Sequence, residues 1–387
     1  MSELTTQLKI PCSYYNKNVC RSCGLIEHSY EEQLKIKLTH LKDIFSKENL
    51  STNGLRPFVP SDTQLSSRNK AKLVVNGSTT EPILGITGSN QETTRIDNCP
   101  LHNPKLNAVA QTVTRLIQTY KVSPYDISKR IGELKFLLLR IANETDQILA
   151  RFVLRSKTEI PKIQKLGAEL MLTHKNVALI SVNIQPVHQA IIEGPEEIHL
   201  LGEPYLIEKL GPYKFATSPQ SFSQVTSNVA VKLYTRVSEM IKDNRPGTVL
   251  DLFSGSGCFS IFTSPYFKKC IGVEISPSSV NDAQSSLKLN QISNITFLEQ
   301  DVLPFLKQHK ESPDLLIVNP PRRGLKADIC NELVRLKPKT IIYSSCNPQT
   351  LAQDLKILSD YEILSIEPFD MFPMTEHFEV VVKLNLR

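Results

Sequence analysis

Apolar residues in the last 170 or so positions fall into short runs at regular intervals: 248–253, 270–275, 295–299, 315–318, 339–344, 362–367 and 378–386. Stretches with helical spacing, near 278–290, 325–336 and 349–359, separate most of them. Strand–helix alternation at this pitch predicts an α/β fold: a mostly parallel, seven-stranded sheet with helices on both faces. The last two runs are joined by 368–376, which has no helical pattern, so they predict an antiparallel pair closing the sheet. An amphipathic stretch at 224–243 leads into this region, and Pro246-Gly247 ends it. The pattern changes upstream. Runs at 71–75, 134–139, 148–154, 177–184 and 190–193, with helical stretches at 107–120 and 159–173, predict an α+β unit of antiparallel strands. One more helix is expected at 28–49, and 50–66, rich in Ser, Thr, Asn and Pro, reads as a connector. Three parts follow: an N-terminal segment 1–59 bearing clustered cysteines, to which Cys99 returns, a central α+β domain 60–217, and a C-terminal α/β domain 218–387.

Composition narrows the class. The chain of 387 residues is 40% hydrophobic and 22% charged, enough for two domains that each bury a core. It has no apolar run of 18 residues and no apolar core in its first ten, so a cytoplasmic protein without a membrane span is expected. The net charge of +6 resides wholly in the first half. Residues 1–217 hold 27 Lys/Arg against 21 Asp/Glu, and residues 218–387 hold 18 of each. A phosphate-bearing partner for the first half fits this, as does ordinary surface charge.

Within the C-terminal pattern, Asp251-Leu252-Phe253-Ser254-Gly255-Ser256-Gly257 places an acid at a strand end, then a glycine turn, then a helix start. Glycine lets the backbone approach a ligand closely. Nineteen residues after Gly255, Glu274 ends the next strand, where a carboxylate can take two ribose hydroxyls. Asp301, after the third strand, is a candidate for the adenine amino group. A dinucleotide fingerprint has a similar layout, but its third glycine is Ser260 here and Asp251 sits within the strand end. Both departures favour S-adenosylmethionine over a nicotinamide cofactor.

Two later strand ends carry chemistry. Asn319-Pro320-Pro321 resembles a motif of amino-group methyltransferases, except that Arg322 follows in place of an aromatic residue. That favours a different base and a phosphate contact. Cys346 ends the run Ile341-Ile342-Tyr343-Ser344-Ser345, at the edge where open α/β folds bind ligands. It reads either as a nucleophile or as a buried free cysteine. Glu379 begins the last strand and reads as a base or as an edge carboxylate facing water, with Glu376 as competitor. A thiol, a base-binding turn, a carboxylate and a cofactor cradle together suit methylation at carbon 5 of uracil. That carbon becomes nucleophilic only when a thiolate adds to carbon 6, and a base must then remove its proton.

The other cysteines divide. Cys258, Cys270 and Cys330 lie within apolar or helical patterns and read as core. Cys12, Cys20, Cys23 and Cys99 have the spacing C-x7-C-x2-C and then a long gap. Structural zinc more often uses two close pairs. One pair with two scattered ligands suits an iron–sulfur cluster as well or better.

At this point the chain resembles the bacterial RNA uracil-5 methyltransferases. The resemblance rests on Ser67-Arg68-Asn69-Lys70-Ala71-Lys72, Gln185-Pro186-Val187-His188, Pro219-Gln220-Ser221-Phe222-Ser223-Gln224, Asn319 to Gly324, and Ile342 to Asn347. It is nearest the 23S ribosomal RNA subfamily that carries four N-terminal cysteines and lacks a TRAM domain. The resemblance implies Cys346 as nucleophile and Glu379 as general base. It implies Gln224, Phe253, Glu274 and Asn319 in contact with S-adenosylmethionine or the target, and Phe222 near the uracil. It also implies a [4Fe–4S] cluster on Cys12, Cys20, Cys23 and Cys99, bracing the N-terminal segment and the RNA-binding surface. Most of the family has Asp where Asn319 stands; the subfamily shares Asn. The implied partner is a hairpin-loop uridine of 23S ribosomal RNA, with neither DNA nor membrane, and the implied state is a monomer. The alternatives are a tRNA T-loop enzyme, a non-catalytic RNA-binding factor and, more distantly, a nicotinamide oxidoreductase.

Overall fold

The structure, a computed structural model, describes residues 12–88, 93–188 and 192–387. Two helices open it, α1 (Ser13–Asn16) and α2 (Tyr30–Lys47). Ser29 and Glu32 form a capping box that starts α2. Its buried face is a stripe at four-residue spacing, Gln33, Lys37, Leu41 and Phe45, joined by Ile44.

The central domain contains β1 (Lys70–Gly77), β2 (Pro82–Thr87), β3 (Thr93–Arg95), α3 (Pro104–Tyr120), β4 (Leu134–Ala142), β5 (Gln147–Leu154), α4 (Ile160–Thr173), β6 (Val177–Ile184) and β7 (Glu196–Gly202). The strands form one sheet in the order β3-β2-β1-β4-β5-β6-β7. Neighbours are antiparallel except β5 and β6, which α4 links as a parallel crossover. The expected strand at 190–193 is corrected. Positions 190 and 191 lie outside the described residues, 192 and 193 are in no strand, and β7 starts at Glu196. Its polar residues, suited to a half-exposed edge, blur the apolar signal.

A hairpin of β8 (Leu206–Leu210) and β9 (Tyr213–Thr217) follows. The C-terminal domain contains α5 (Ser227–Ile241), β10 (Thr248–Leu252), α6 (Cys258–Thr263), β11 (Lys269–Glu274), α7 (Pro277–Asn290), β12 (Ile295–Glu299), α8 (Val302–Gln308), β13 (Leu315–Val318), α9 (Lys326–Leu336), β14 (Thr340–Ser345), α10 (Pro348–Ile357), β15 (Tyr361–Phe369) and β16 (Glu379–Leu386). The sheet order is β12-β11-β10-β13-β14-β16-β15. Strands β10 to β14 are parallel, and β16 runs antiparallel between β14 and β15. Helices α5, α6 and α7 cover one face. The other is covered by α8, α9, α10 and, from far upstream, α2. The β8–β9 hairpin leans on the same domain: Ala216 N–H donates to Ser286 Oγ at 3.0 Å and Ser218 N–H to Asp282 Oδ2 at 2.7 Å.

The stretch 50–66 does more than connect. Leu55 bridges Ile366 and Val59 bridges Phe369, both in parallel, so this segment covers the free edge of β15. Gly54 makes the approach possible: its φ is +82°, and a Cβ there would sit 2.6 Å from the Leu364 carbonyl oxygen.

Lys37 and Asp370 form an ion pair at 2.5 Å with both side chains fully buried. Removing one partner of such a pair leaves an uncompensated charge in the core. Lys37→Met is therefore expected to cost about 3–5 kcal/mol of stability, read as a lower denaturation midpoint in urea. Among the described residues no helix is long and apolar enough to cross a membrane.

Candidate active site

The carboxyl edge of the C-terminal sheet gathers most of the sequence-derived candidates. At its centre the antiparallel register pairs Ser345 with Val380. One step further along, Cys346 and Glu379 stand side by side on adjoining strand ends. Glu379 is 1% exposed, so it does not face water as an edge carboxylate would. Its Oε1 accepts a hydrogen bond from Ser344 Oγ at 3.0 Å. Its Oε2 is buried without a partner, an unsatisfied acceptor that suits a base. Burial raises its pKa to about 7, against the opposing pull of the Ser344 hydrogen bond and the Arg322 charge.

Cys346 is half-buried. Burial and the Glu379 charge raise its pKa, while the charge of Arg322 and a hydrogen bond from it favour the thiolate. The Arg322 backbone is fixed by Asn347 Nδ2 and Thr350 Oγ1, which donate to its carbonyl at 2.8 and 3.2 Å. A cavity of about 230 Å³ opens in front of the thiol, lined among others by His40, Arg322, Gln349 and His377. His40 of α2 and Gln349 of α10 are in contact across it, at 3.2 Å. Ser344 lies within the Ile342–Asn347 motif but was given no role there, and His40 and Gln349 lie in none of the motifs read from the sequence. The only available hint was a hydroxyl pair, Ser344-Ser345, at the end of a buried strand.

The glycine turn lies two strands away. Phe253 has φ +59°, a left-handed conformation, and starts the sharp exit from β10. A Cβ on Gly255, whose φ is +54°, would meet nothing within 4 Å, so the turn borders open space. At Gly257, in contrast, a Cβ would collide with Phe297 at 2.4 Å. Glu274 closes the cradle: its Oε2 accepts from Gly255 N–H at 3.0 Å and its Oε1 from Ser276 N–H at 2.8 Å. Ser254 Oγ and Asp251 Oδ1 are buried beside the turn without hydrogen-bond partners. Burial raises the Asp251 pKa to about 7. Donors, an acidic side chain and open space fit an adenosine-bearing ligand. Asp301 caps α8, accepting from Leu303 N–H at 2.9 Å. Asn319 follows β13, and its N–H reaches Leu252 O at 3.4 Å, tying it to the start of the cradle.

The segment that carries Phe222 and Gln224 is held by the central domain. Lys70 and Arg140, paired on β1 and β4, donate to Ser223 O at 2.6 Å and Ser221 O at 2.8 Å. Asn69 Nδ2 donates to Gln224 O at 3.0 Å. Gln224 is buried beside Ser256 and Cys258 of the glycine turn. Phe222 is 65% exposed, with Lys70 Nζ 5.1 Å from its ring centre.

The early cysteines are free thiols. Cys12, Cys23 and Cys99 share one small apolar cluster with Ile26, Leu101 and Met374. Among the described residues no three His, Cys, Asp or Glu side chains converge as ligands of a metal ion.

Comparison with known proteins identifies the family. The sequence model of the tRNA (Uracil-5-)-methyltransferase family matches residues 207–387. The chain is 36% identical over 377 residues to the 23S rRNA (uracil(747)-C(5))-methyltransferase RlmC of Shewanella baltica, covering 96% of each. It is 35% identical to the protein of that name from Xenorhabdus nematophila, covering 97% of this chain and 99% of the relative. Its fold matches the Pyrococcus abyssi tRNA (uracil-54, C5)-methyltransferase, solved with S-adenosyl-L-homocysteine. The TM-score is 0.79 at 26% identity, over 94% of this chain and 85% of that one. Near-full-length identity above one third, joined to a thiol and a buried carboxylate on adjacent strand ends, makes this chain a member of the RNA uracil-5 methyltransferase family.

Proposed function

We propose that this protein transfers a methyl group to carbon 5 of a hairpin-loop uridine in 23S ribosomal RNA. The observation that carries the chemistry is the buried, half-satisfied Glu379 beside Cys346. S-adenosylmethionine, when bound, supplies an electrophilic methyl group. The uridine leaves its stack and enters the cavity in front of Cys346. The thiolate, favoured by Arg322, adds to carbon 6 and forms a carbon–sulfur bond. The electron pair moves to carbon 5, which takes the methyl. Glu379 Oε2 then accepts the carbon 5 proton, the carbon 6–sulfur bond breaks, and the thiolate returns. Phe222 and Arg322 are read as target contacts. Gln224, Phe253, Gly255, Glu274, Asp301 and Asn319 are read as holding S-adenosylmethionine, with Asp301 sharing its carboxylate between the α8 cap and the adenine. Glu274→Gln replaces a carboxylate that would take two ribose hydroxyls. Its KM for S-adenosylmethionine is expected to rise about tenfold, the worth of one charged hydrogen bond. The RNA KM should stay near wild type.

The 23S assignment follows the relatives that match the whole chain at 35–36% identity. We read the protein as cytoplasmic, in keeping with an rRNA substrate. The discriminating experiment uses 5-fluorouridine RNA, because fluorine cannot leave as a proton. A denaturation-resistant adduct on a 23S hairpin supports the reading. An adduct on a tRNA T-loop alone moves the substrate to tRNA. No adduct on either leaves an RNA-binding factor.

We also read Cys12, Cys20, Cys23 and Cys99 as the thiolates of a [4Fe–4S] cluster. The donor set and the shared packing of three of them support this. Protein purified without oxygen is expected to show the broad visible absorption of such a cluster, and Cys23→Ser to lose it. Equal absorption in both would sink the assignment.

A further inference from the structure

The nine residues between β15 and β16 are buried to a degree unusual for a loop. Asp370 and Met371 are 0% exposed, and Met374 and Phe378 are 1%. Loops normally stay at the surface because their backbone groups need water. Here the groups must find protein partners instead. Asp370 N–H donates to Val59 O at 2.9 Å, and Met371 O accepts from Thr226 Oγ1 at 2.8 Å. The remaining anchors come from the N-terminal segment. Phe372 O accepts from Lys37 Nζ at 3.1 Å. Met374 N–H donates to Gln33 Oε1 at 3.0 Å, and Met374 O accepts from Leu25 N–H at 3.0 Å. Gln33 Nε2 reaches the Met374 sulfur at 3.1 Å. The Asp370 carboxylate, already paired with Lys37, also accepts from Tyr30 OH at 2.8 Å. Met374 sits at φ +69°, a conformation a non-glycine residue holds only when its surroundings enforce it.

This loop ends at Glu379. Its last residues, Glu376, His377 and Phe378, line the cavity in front of Cys346. Phe378 is packed edge-on against Phe58, with ring centres 5.3 Å apart. Helix α2 therefore clamps the segment that fixes where the Glu379 carboxylate begins. Two of the stripe residues on its buried face, Gln33 and Lys37, are polar because they serve this loop; Leu41 and Phe45 serve the core.

From this geometry we infer that Tyr30, Gln33 and Lys37 are positioning residues for the base: they hold the loop from Asp370 to Phe378 and, through it, set Glu379 against carbon 5 of the target. The N-terminal segment thereby acts on the proton-removal step. From the sequence, the cysteine cluster is expected to brace this segment and the RNA-binding surface, with no part for the segment in proton removal. The inference rests on the reading of Glu379 under Proposed function. It predicts a specific kinetic fault. Methyl transfer and adduct formation, which need Cys346, should proceed, and release, which needs Glu379, should lag.

The test uses Tyr30→Phe and Gln33→Leu in the full-length protein. Both remove hydrogen bonds and keep most of the packing volume, whereas Lys37→Met strips a core charge and risks the fold. We expect kcat to fall about tenfold in each, with KM falling in parallel and kcat/KM for RNA and S-adenosylmethionine within about twofold of wild type, because the slowed step follows adduct formation. On unmodified RNA, a methylated covalent adduct should accumulate in the steady state. The ascending pH limb assigned to Glu379 should shift. A structural role alone would lower the denaturation midpoint without trapping adduct. Wild-type protein on 5-fluorouridine RNA runs alongside. If it forms no adduct, the Glu379 reading itself fails. If wild type forms the adduct while both variants turn over normally, or lose RNA affinity without trapping adduct, the positioning role is overturned.

Discussion

Cys346→Ala is expected to abolish methyl transfer, by at least about 10⁴-fold, as loss of a covalent nucleophile does. The reason is chemical. Carbon 5 of uracil does not attack a methyl donor until sulfur has added at carbon 6. Cys346 is the cysteine that lines the cavity. Cys258 and Cys270 lie on the far side of the glycine turn, packed among α5, α6 and β11, and burial raises the Cys258 pKa to about 11. Cys330 is buried in the opposite core. The substitution removes one half-exposed sulfur, so the fold and S-adenosylmethionine affinity should survive. Radiolabelled methyl transfer measures the first claim and calorimetry the second. A variant retaining a hundredth of the wild-type rate would refute the nucleophile.

Glu379→Gln should be the second most damaging change, about 10²- to 10⁴-fold in turnover, the usual contribution of a general base. Its signature differs from that of Cys346→Ala. The amide can still accept from Ser344, but cannot take a proton, so methylated RNA should remain bound through sulfur. The pH profile supplies the sign. A base must be ionised, and burial holds Glu379 near pKa 7. Turnover should therefore rise as pH climbs through about 7 and continue upward as the raised thiol of Cys346 ionises. In Glu379→Gln the lower limb should vanish and the thiol-dependent rise should remain. A variant with normal release, or an unchanged lower limb, would move the base elsewhere, with Glu376 and His377 next in line on the same cavity wall.

Much of this site could be read from the sequence because it sits at strand ends in a regular alternation. The expected run at 339–344 is β14 shifted by one residue, and that at 378–386 is β16 from Glu379. Once these two strands pair, Cys346 and Glu379 meet. The antiparallel pairing of β16 with β15 was legible as well, because 368–376 has no helical pattern; the insertion of β16 between β14 and β15, which brings Glu379 to Cys346, was not. What was illegible depends on contacts distant in sequence. Burial of Glu379 could not be inferred from Val-rich neighbours that suit an edge strand equally well. The β15 edge is covered by 54–59, whose Ser/Thr/Asn/Pro-rich surroundings look like linker. Short polar strands such as β3 left no periodicity to find. Strand β2 was hidden by a proline and a glycine, with Gly85 packed against the Thr94 carbonyl, where a Cβ would lie 1.7 Å away. Gln33 and Lys37 on the buried face of α2 weakened an otherwise plain amphipathic stripe.

The pairing of Lys37 with Asp370 joins positions 333 residues apart. A ribosome adds about 5–20 residues per second, so α2 leaves the exit tunnel on the order of 15–60 s before its partner is synthesised. Through most of that interval Leu41, Ile44 and Phe45 wait for the α8–α10 core they pack into, and Lys37 has no counter-charge. Until that core forms, the nascent chain exposes the apolar stripe of an amphipathic helix. Glu379 reaches Cys346 when β16 pairs with β14. A messenger truncated shortly before codon 366 would yield a chain with the glycine turn and Cys346, but without Glu379 and without Asp370 and Met374, the partners of Lys37 and Gln33 on α2. Synthesis order thus delivers Glu379 and the loop partners of Lys37 and Gln33 together, after the glycine turn and Cys346.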